Sequence, residues 1–212
     1  AHGGARPSHA VWQGRRYHRG GAVDYLGQHY EDFESATGYG TGAGLCGWNC
    51  RHTFFVVFPE LGSPPAWTQE SLEALNARDI EYDGGLYTRY EISQMQRARE
   101  RAVRKWKRRY LAEDAAGADA TASAMKLRQA RQSLADFTRA TGGRVDSART
   151  SIHGFGRSEA SRASYAARKQ ERFNAANTEL QQMREAGTIK AKGRLIESPS
   201  APNEINFASD HV

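Results

Sequence analysis

The run Gly38-Tyr-Gly-Thr-Gly-Ala-Gly-Leu-Cys-Gly-Trp-Asn-Cys-Arg-His52 limits what this chain can fold into more than any other stretch. Glycine at every second position from Gly38 to Gly44 excludes a packed helix and a well-packed strand. Glycine interiors lose backbone entropy on ordering and bring no side chain to the packing. The run then delivers Cys46, Cys50 and His52 within seven residues. A bent backbone that gathers these soft, ligand-type side chains onto one point is the expected result.

Two chemistries suit such a point. Zinc takes thiolates and imidazoles in a tetrahedral shell, and Cys-x-x-x-Cys-x-His supplies three of them, with His9 or His2 as a fourth. The candidate ligand set is therefore His9, Cys46, Cys50 and His52, and a small glycine-rich domain would gain folding free energy from the ion. The alternative is a metal-free buried core of His, Cys and Trp. There cysteine acts as a small hydrophobe, and His9 hydrogen-bonds a backbone carbonyl near Trp48. A disulfide between Cys46 and Cys50 would close only a tiny loop and stabilise little. Reduced thiols, free or metal-bound, fit an intracellular assembly better.

An apolar content of 39% and a mean hydropathy of −0.74 predict a modest globular head with extended helices rather than one thick core. The net charge of +6 and a pI near 9.5 favour an anionic partner. No apolar run is long enough to span a bilayer, and no signal peptide is visible. The start at Ala1 and the stop at Val212 read as cuts in a longer polypeptide.

Along the chain, residues 1–36 read as irregular structure, with a turn at Ala10–Trp12, a short strand at Arg15–Tyr17 and one or two helical turns at Asp32–Ala36. His52-Thr-Phe-Phe-Val-Val-Phe58 is the best strand by composition, β-branched and aromatic and stopped by Pro59, and it reads as the centre of a small sheet. Thr68 and the acidic turn after it predict a short helix. Asp83-Gly-Gly85 between Ile80–Tyr82 and Leu86–Thr88 predicts a hairpin. From Tyr90 the pattern turns helical. Ile92, Met95, Val103, Trp106 and Tyr110 form one stripe, and Leu127, Leu134 and Phe137 form another on a helix over 119–140. The short connection predicts that these two pair as a hairpin. A third helix, capped by Ser158, runs to Gly187. The fold class is α+β and mostly helical: a small Gly/His/Cys-rich domain with a short antiparallel sheet over 1–89, long helices over 90–187, and an extended tail over 188–212.

The first long helix is strongly basic. Between residues 97 and 109 eight cations are opposed only by Glu100. Arg97, Arg101, Arg104, Lys105, Lys107, Arg108 and Arg109 are the candidate phosphate contacts, which would bind nucleic acid without sequence preference and with strong salt dependence. The competing reading is a solvated face paired with neighbouring acidic surfaces. Gly154-Phe-Gly-Arg-Ser158 could hold an anion on free backbone N–H groups or serve only to start a helix. His9, His52 and His153 could act as acids or bases and Cys50 as a nucleophile, but no catalytic signature surrounds them. No enzymatic role is expected of these residues.

Arg6-Pro-Ser-His9 with Trp12-Gln-Gly14, the Gly38-Tyr-Gly-Thr-Gly42 run and Gly47-Trp-Asn-Cys-Arg-His52 resemble the phage minor capsid protein 2 family. That family is related to the Mu-type head morphogenesis proteins, in which a His-x-x-x-x-Gly motif likewise precedes a Cys-Arg motif. The likeness continues through Leu72–Asn76, Tyr82–Tyr87, the basic helix and Gly154–Ser161, and covers about residues 1–170. It implies a structural minor capsid or head morphogenesis protein of a tailed phage. Such a protein would meet the portal or major capsid protein, and packaged double-stranded DNA, in the virion after assembly in the host cytoplasm. Some longer relatives continue into a nuclease-like toxin domain. The alternative implied is thus an adapter for a phage-delivered toxin or nuclease whose catalytic domain lies beyond residue 212.

Overall fold

The computed structural model describes residues 1–62 and 64–187. The tail expected over 188–212 lies outside the described residues. The chain divides into two compact units, the first Ala1–Met95 and the second beginning at Gln96.

The first unit is built from short elements in the order α1 (Pro7–Ala10), β1 (Val23–Tyr25), β2 (Gln28–Tyr30), α2 (Phe33–Thr37), α3 (Gln69–Asn76), β3 (Ile80–Tyr82) and β4 (Gly85–Tyr87). Two antiparallel hairpins stand in place of one sheet. In β3–β4, Ile80 pairs with Tyr87 across the two-residue turn Asp83-Gly84, both residues at positive φ, which matches the right-handed twist of the strands. The β1–β2 hairpin turns the same way through Leu26-Gly27 and was not expected from the sequence. Asp32 caps α2 by accepting from Ser35 N, and Thr68 caps α3 by accepting from Ser71 N. Trp12, Phe33 and Leu45 form the buried core, with Tyr17, Tyr39 and Cys50 packed against it.

The expected strand over 52–58 does not form, and neither does the one at Arg15–Tyr17. Among the described residues no strand pairs with Thr53–Phe58, and a segment apolar on both faces needs cover on both. Phe54 rests against Phe33 and Tyr39 at centroid distances of 4.9 and 5.3 Å, and Val57 is half-buried. Phe55, Val56 and Phe58 stay exposed.

Helix α4 (Arg89–Ala115) contributes residues to both units. The second unit adds α5 (Thr121–Ala140), the short α6 (Ser147–Thr150) and α7 (Arg157–Glu185). Its core gathers Val103 and Tyr110 of α4, Ala124, Leu127 and Leu134 of α5, and Ala163 and Ala167 of α7. Helix α5 packs along α7 and also meets α4, where Arg99 lies over the Phe137 ring at 4.1 Å. Ala124, Ala163 and Ala167 are fully buried and small enough for the two backbones to approach, whereas α4 presents the bulkier Val103, Trp106 and Tyr110. Arg128–Glu171 ties α5 to α7, and Arg162–Asp114 ties α7 to α4, each at 2.9 Å. Ser158 lies inside α7 and does not cap it. Glu159 does that work, its carboxylate accepting from Gly156 N at 2.9 Å.

Candidate functional site

The glycine run folds into a chain of tight turns. Trp48 N donates to Gly42 O at 2.7 Å, Leu45 N to Thr37 O, and Cys50 N to Gly47 O. Two glycines are required by close backbone approach: a Cβ on Gly44 would lie 1.9 Å from Gly38 O, and one on Gly47 would lie 2.5 Å from Gly42 O. Cys46 and Asn49 take positive φ to complete the turns. Leu45 is thereby buried against Trp12 and Phe33, and Cys50 is turned toward α1. Pro7 opens α1, where its missing N–H costs nothing, and the single turn presents His9 inward.

His9, Cys50 and His52 meet, each offering one ligand-type atom within 4.8 Å of the others. Cys50 Sγ lies 3.7 Å from His9 Nδ1 and 3.4 Å from His52 Nδ1. The opposite nitrogens are both engaged. His9 Nε2 donates to Ala43 O at 2.9 Å, and a carbonyl can only accept. His52 Nε2 donates to Gln13 Oε1 at 2.9 Å; the backbone N–H of His2, donating to the same oxygen at 2.7 Å, fixes which way that amide points. Each Nδ1 therefore carries its lone pair toward the cysteine sulfur. His2 stacks on His52 with centroids 4.3 Å apart, and His2 Nε2 is buried without a hydrogen-bond partner. Burial, and then the positive charges of His2, His9, the terminal amine and Arg51, push the His52 pKa down to about 4.

Cys46, the remaining sequence candidate, is not in this cluster. Its positive φ turns the thiol to the His52 carbonyl at 3.7 Å, and the residue is exposed. The tryptophan of the core is Trp12. Trp48 is 78% exposed, while Trp12 packs on His9 and His52 at 4.7 and 4.8 Å. Gln13, 3% exposed and bonded to His52, had no role assigned from sequence. Its place four residues after His9, one turn along, was the available signal.

The basic helix divides into two sets. Arg104 donates to the Arg149 carbonyl, and Lys107 donates to Thr150 O at 2.6 Å, so both hold the α6 segment. Lys107 also lies over the Phe155 ring, and burial lowers its pKa. Arg109 pairs with Glu113 at 2.8 Å. Glu100 is 2% exposed and is served by Gln96 and Arg149. Arg97, Arg101, Lys105 and Arg108 remain exposed, and none of them has an acidic partner among the described residues. Their spacing of four, four and three places them on one face of α4. The Gly154–Ser158 loop offers no free anion site at Gly156 N, which Glu159 already occupies.

Fold and site together define a two-unit, mostly helical α+β protein with a His/Cys-cored knot and a cationic helix face, and no helix among the described residues is long and apolar enough to cross a membrane. Residues 1–139 match the phage minor capsid protein 2 family. The match covers more than half of the 212 residues, and the chain belongs to that family of structural phage proteins. Among curated proteins and among solved structures, nothing matches it.

Proposed function

We propose that this chain is a head morphogenesis component of a tailed phage, docked near the portal or the inner capsid wall, where α4 touches packaged double-stranded DNA. Membership of the minor capsid family supports the structural role. The observation that carries the DNA contact is the exposed stripe of Arg97, Arg101, Lys105 and Arg108. Four cations spread over eleven helical steps span about 16 Å, against a duplex bearing one charge per about 1.7 Å of its axis. Contact would neutralise phosphates and release counterions without reading bases. The knot serves as a rigid docking unit, and the work of the protein is assembly and packing rather than turnover.

The test is simultaneous reversal at Arg97→Glu, Arg101→Glu, Lys105→Glu and Arg108→Glu, with duplex DNA binding measured across a salt titration. Affinity falls, and the slope of log affinity against log salt drops by up to roughly 3.6, while the far-ultraviolet circular dichroism is unchanged because none of the four supports the core. Equal affinity and slope in the variant would remove the DNA contact.

A further inference from the structure

The geometry points to a metal site in the knot: a zinc-class divalent ion held by Cys50 Sγ and by Nδ1 of His9 and of His52. Three observations carry it. The first is the chemistry of the donor set, one thiolate and two imidazoles, which suits zinc and disfavours hard, oxygen-loving ions. The second is spacing. A tetrahedral ion with bonds of about 2.0 Å to nitrogen and 2.3 Å to sulfur separates the two donor types by about 3.6 Å, and the sulfur lies 3.4 and 3.7 Å from the two nitrogens.

The third observation is the state of the histidines. Both Nε2–H groups are already given away, to Ala43 O and to Gln13 Oε1, as the outer partners of metal-bound imidazoles are. Two lone pairs then converge on one sulfur, whose single thiol proton can satisfy only one of them. A cation satisfies both nitrogens and a thiolate together. His2 lies outside the group of donors within 4.8 Å of one another, so the fourth position of the shell falls to a solvent oxygen. Cys46, despite its place in the sequence motif, stands outside the set.

The test uses the 212-residue chain equilibrated with zinc, or with cobalt(II) as a spectroscopic substitute, and then desalted. One zinc per chain is expected by elemental analysis. The cobalt form should show a sulfur-to-cobalt charge-transfer band and the visible bands of a tetrahedral ion. Cys50→Ser abolishes the charge-transfer band, and His9→Gln and His52→Gln lower the metal content, while Cys46→Ser keeps both. His2→Ala should likewise keep both, as expected of a residue outside the shell. If the knot variants fail to fold, the cobalt spectrum of the unaltered chain decides alone. A folded chain that retains no stoichiometric metal, a cobalt spectrum without the thiolate band, or a band that survives Cys50→Ser would overturn the proposal. The result is independent of the virion reading, which a metal-free knot would leave standing.

Discussion

His52 concentrates the chemistry of the knot at the scale of one residue. Its pKa of about 4 in the folded chain stands against an ordinary 6.5. Between these values the unfolded chain binds a proton that the folded chain refuses, so stability rises with pH across that window. The His52 contribution is complete above pH 6.5 and is lost as the pH falls through 4. In chelator-treated protein the denaturation midpoint of the first unit should fall steadily from pH 6.5 to 4, and His52→Gln should flatten that fall. An identical pH slope in the variant would contradict the burial account. The convergence of His9, Cys50 and His52 was legible because residue type and motif spacing are written in the sequence. The exclusion of Cys46, the choice of Trp12 over Trp48 for the core and the role of Gln13 were not. Each depends on how positive-φ turns aim a side chain, and neighbours in sequence leave that open.

Elements with local signals were readable, and those decided by partners were not. Asp83-Gly84 announced β3–β4 because that dipeptide favours the left-handed turn, while Leu26-Gly27 gave β1–β2 no such signal. The segment from Thr53 to Phe58 has strong strand composition, but composition rewards a half-buried pleated surface that no neighbouring strand provides here. Helix α5 meets α7 through alanines and α4 through larger side chains. Ala167 is fully buried in the core it shares with Ala124 of α5 and Val103 of α4. Ala167→Leu should therefore destabilise the second unit by about 1–3 kcal/mol through overpacking. Tyr165→Ala, on the exposed side of the same helix, should change stability by less than about 0.5 kcal/mol. Thermal unfolding of both variants checks this, and equal midpoints would mean the contact is looser than the burial of Ala167 implies.

The whole molecule joins a small knot with little regular structure to a helical unit rich in cations, and its residues 1–139 belong to a family of minor capsid proteins. Its net charge of +6 suits life beside nucleic acid, yet much of the charge on α4 is spent internally, on the α6 carbonyls and on Glu113. That division is invisible in a count of lysines and arginines and emerges only once the α6 segment is folded back. What assembles with the particle is a property of the complete chain, so the central claim is tested on particles. Quantitative mass spectrometry of purified, nuclease-treated virions should find peptides of this chain in a fixed, low ratio to the major capsid protein across preparations. Consistent absence from infectious particles, with the protein present in the lysate that produced them, would contradict the account.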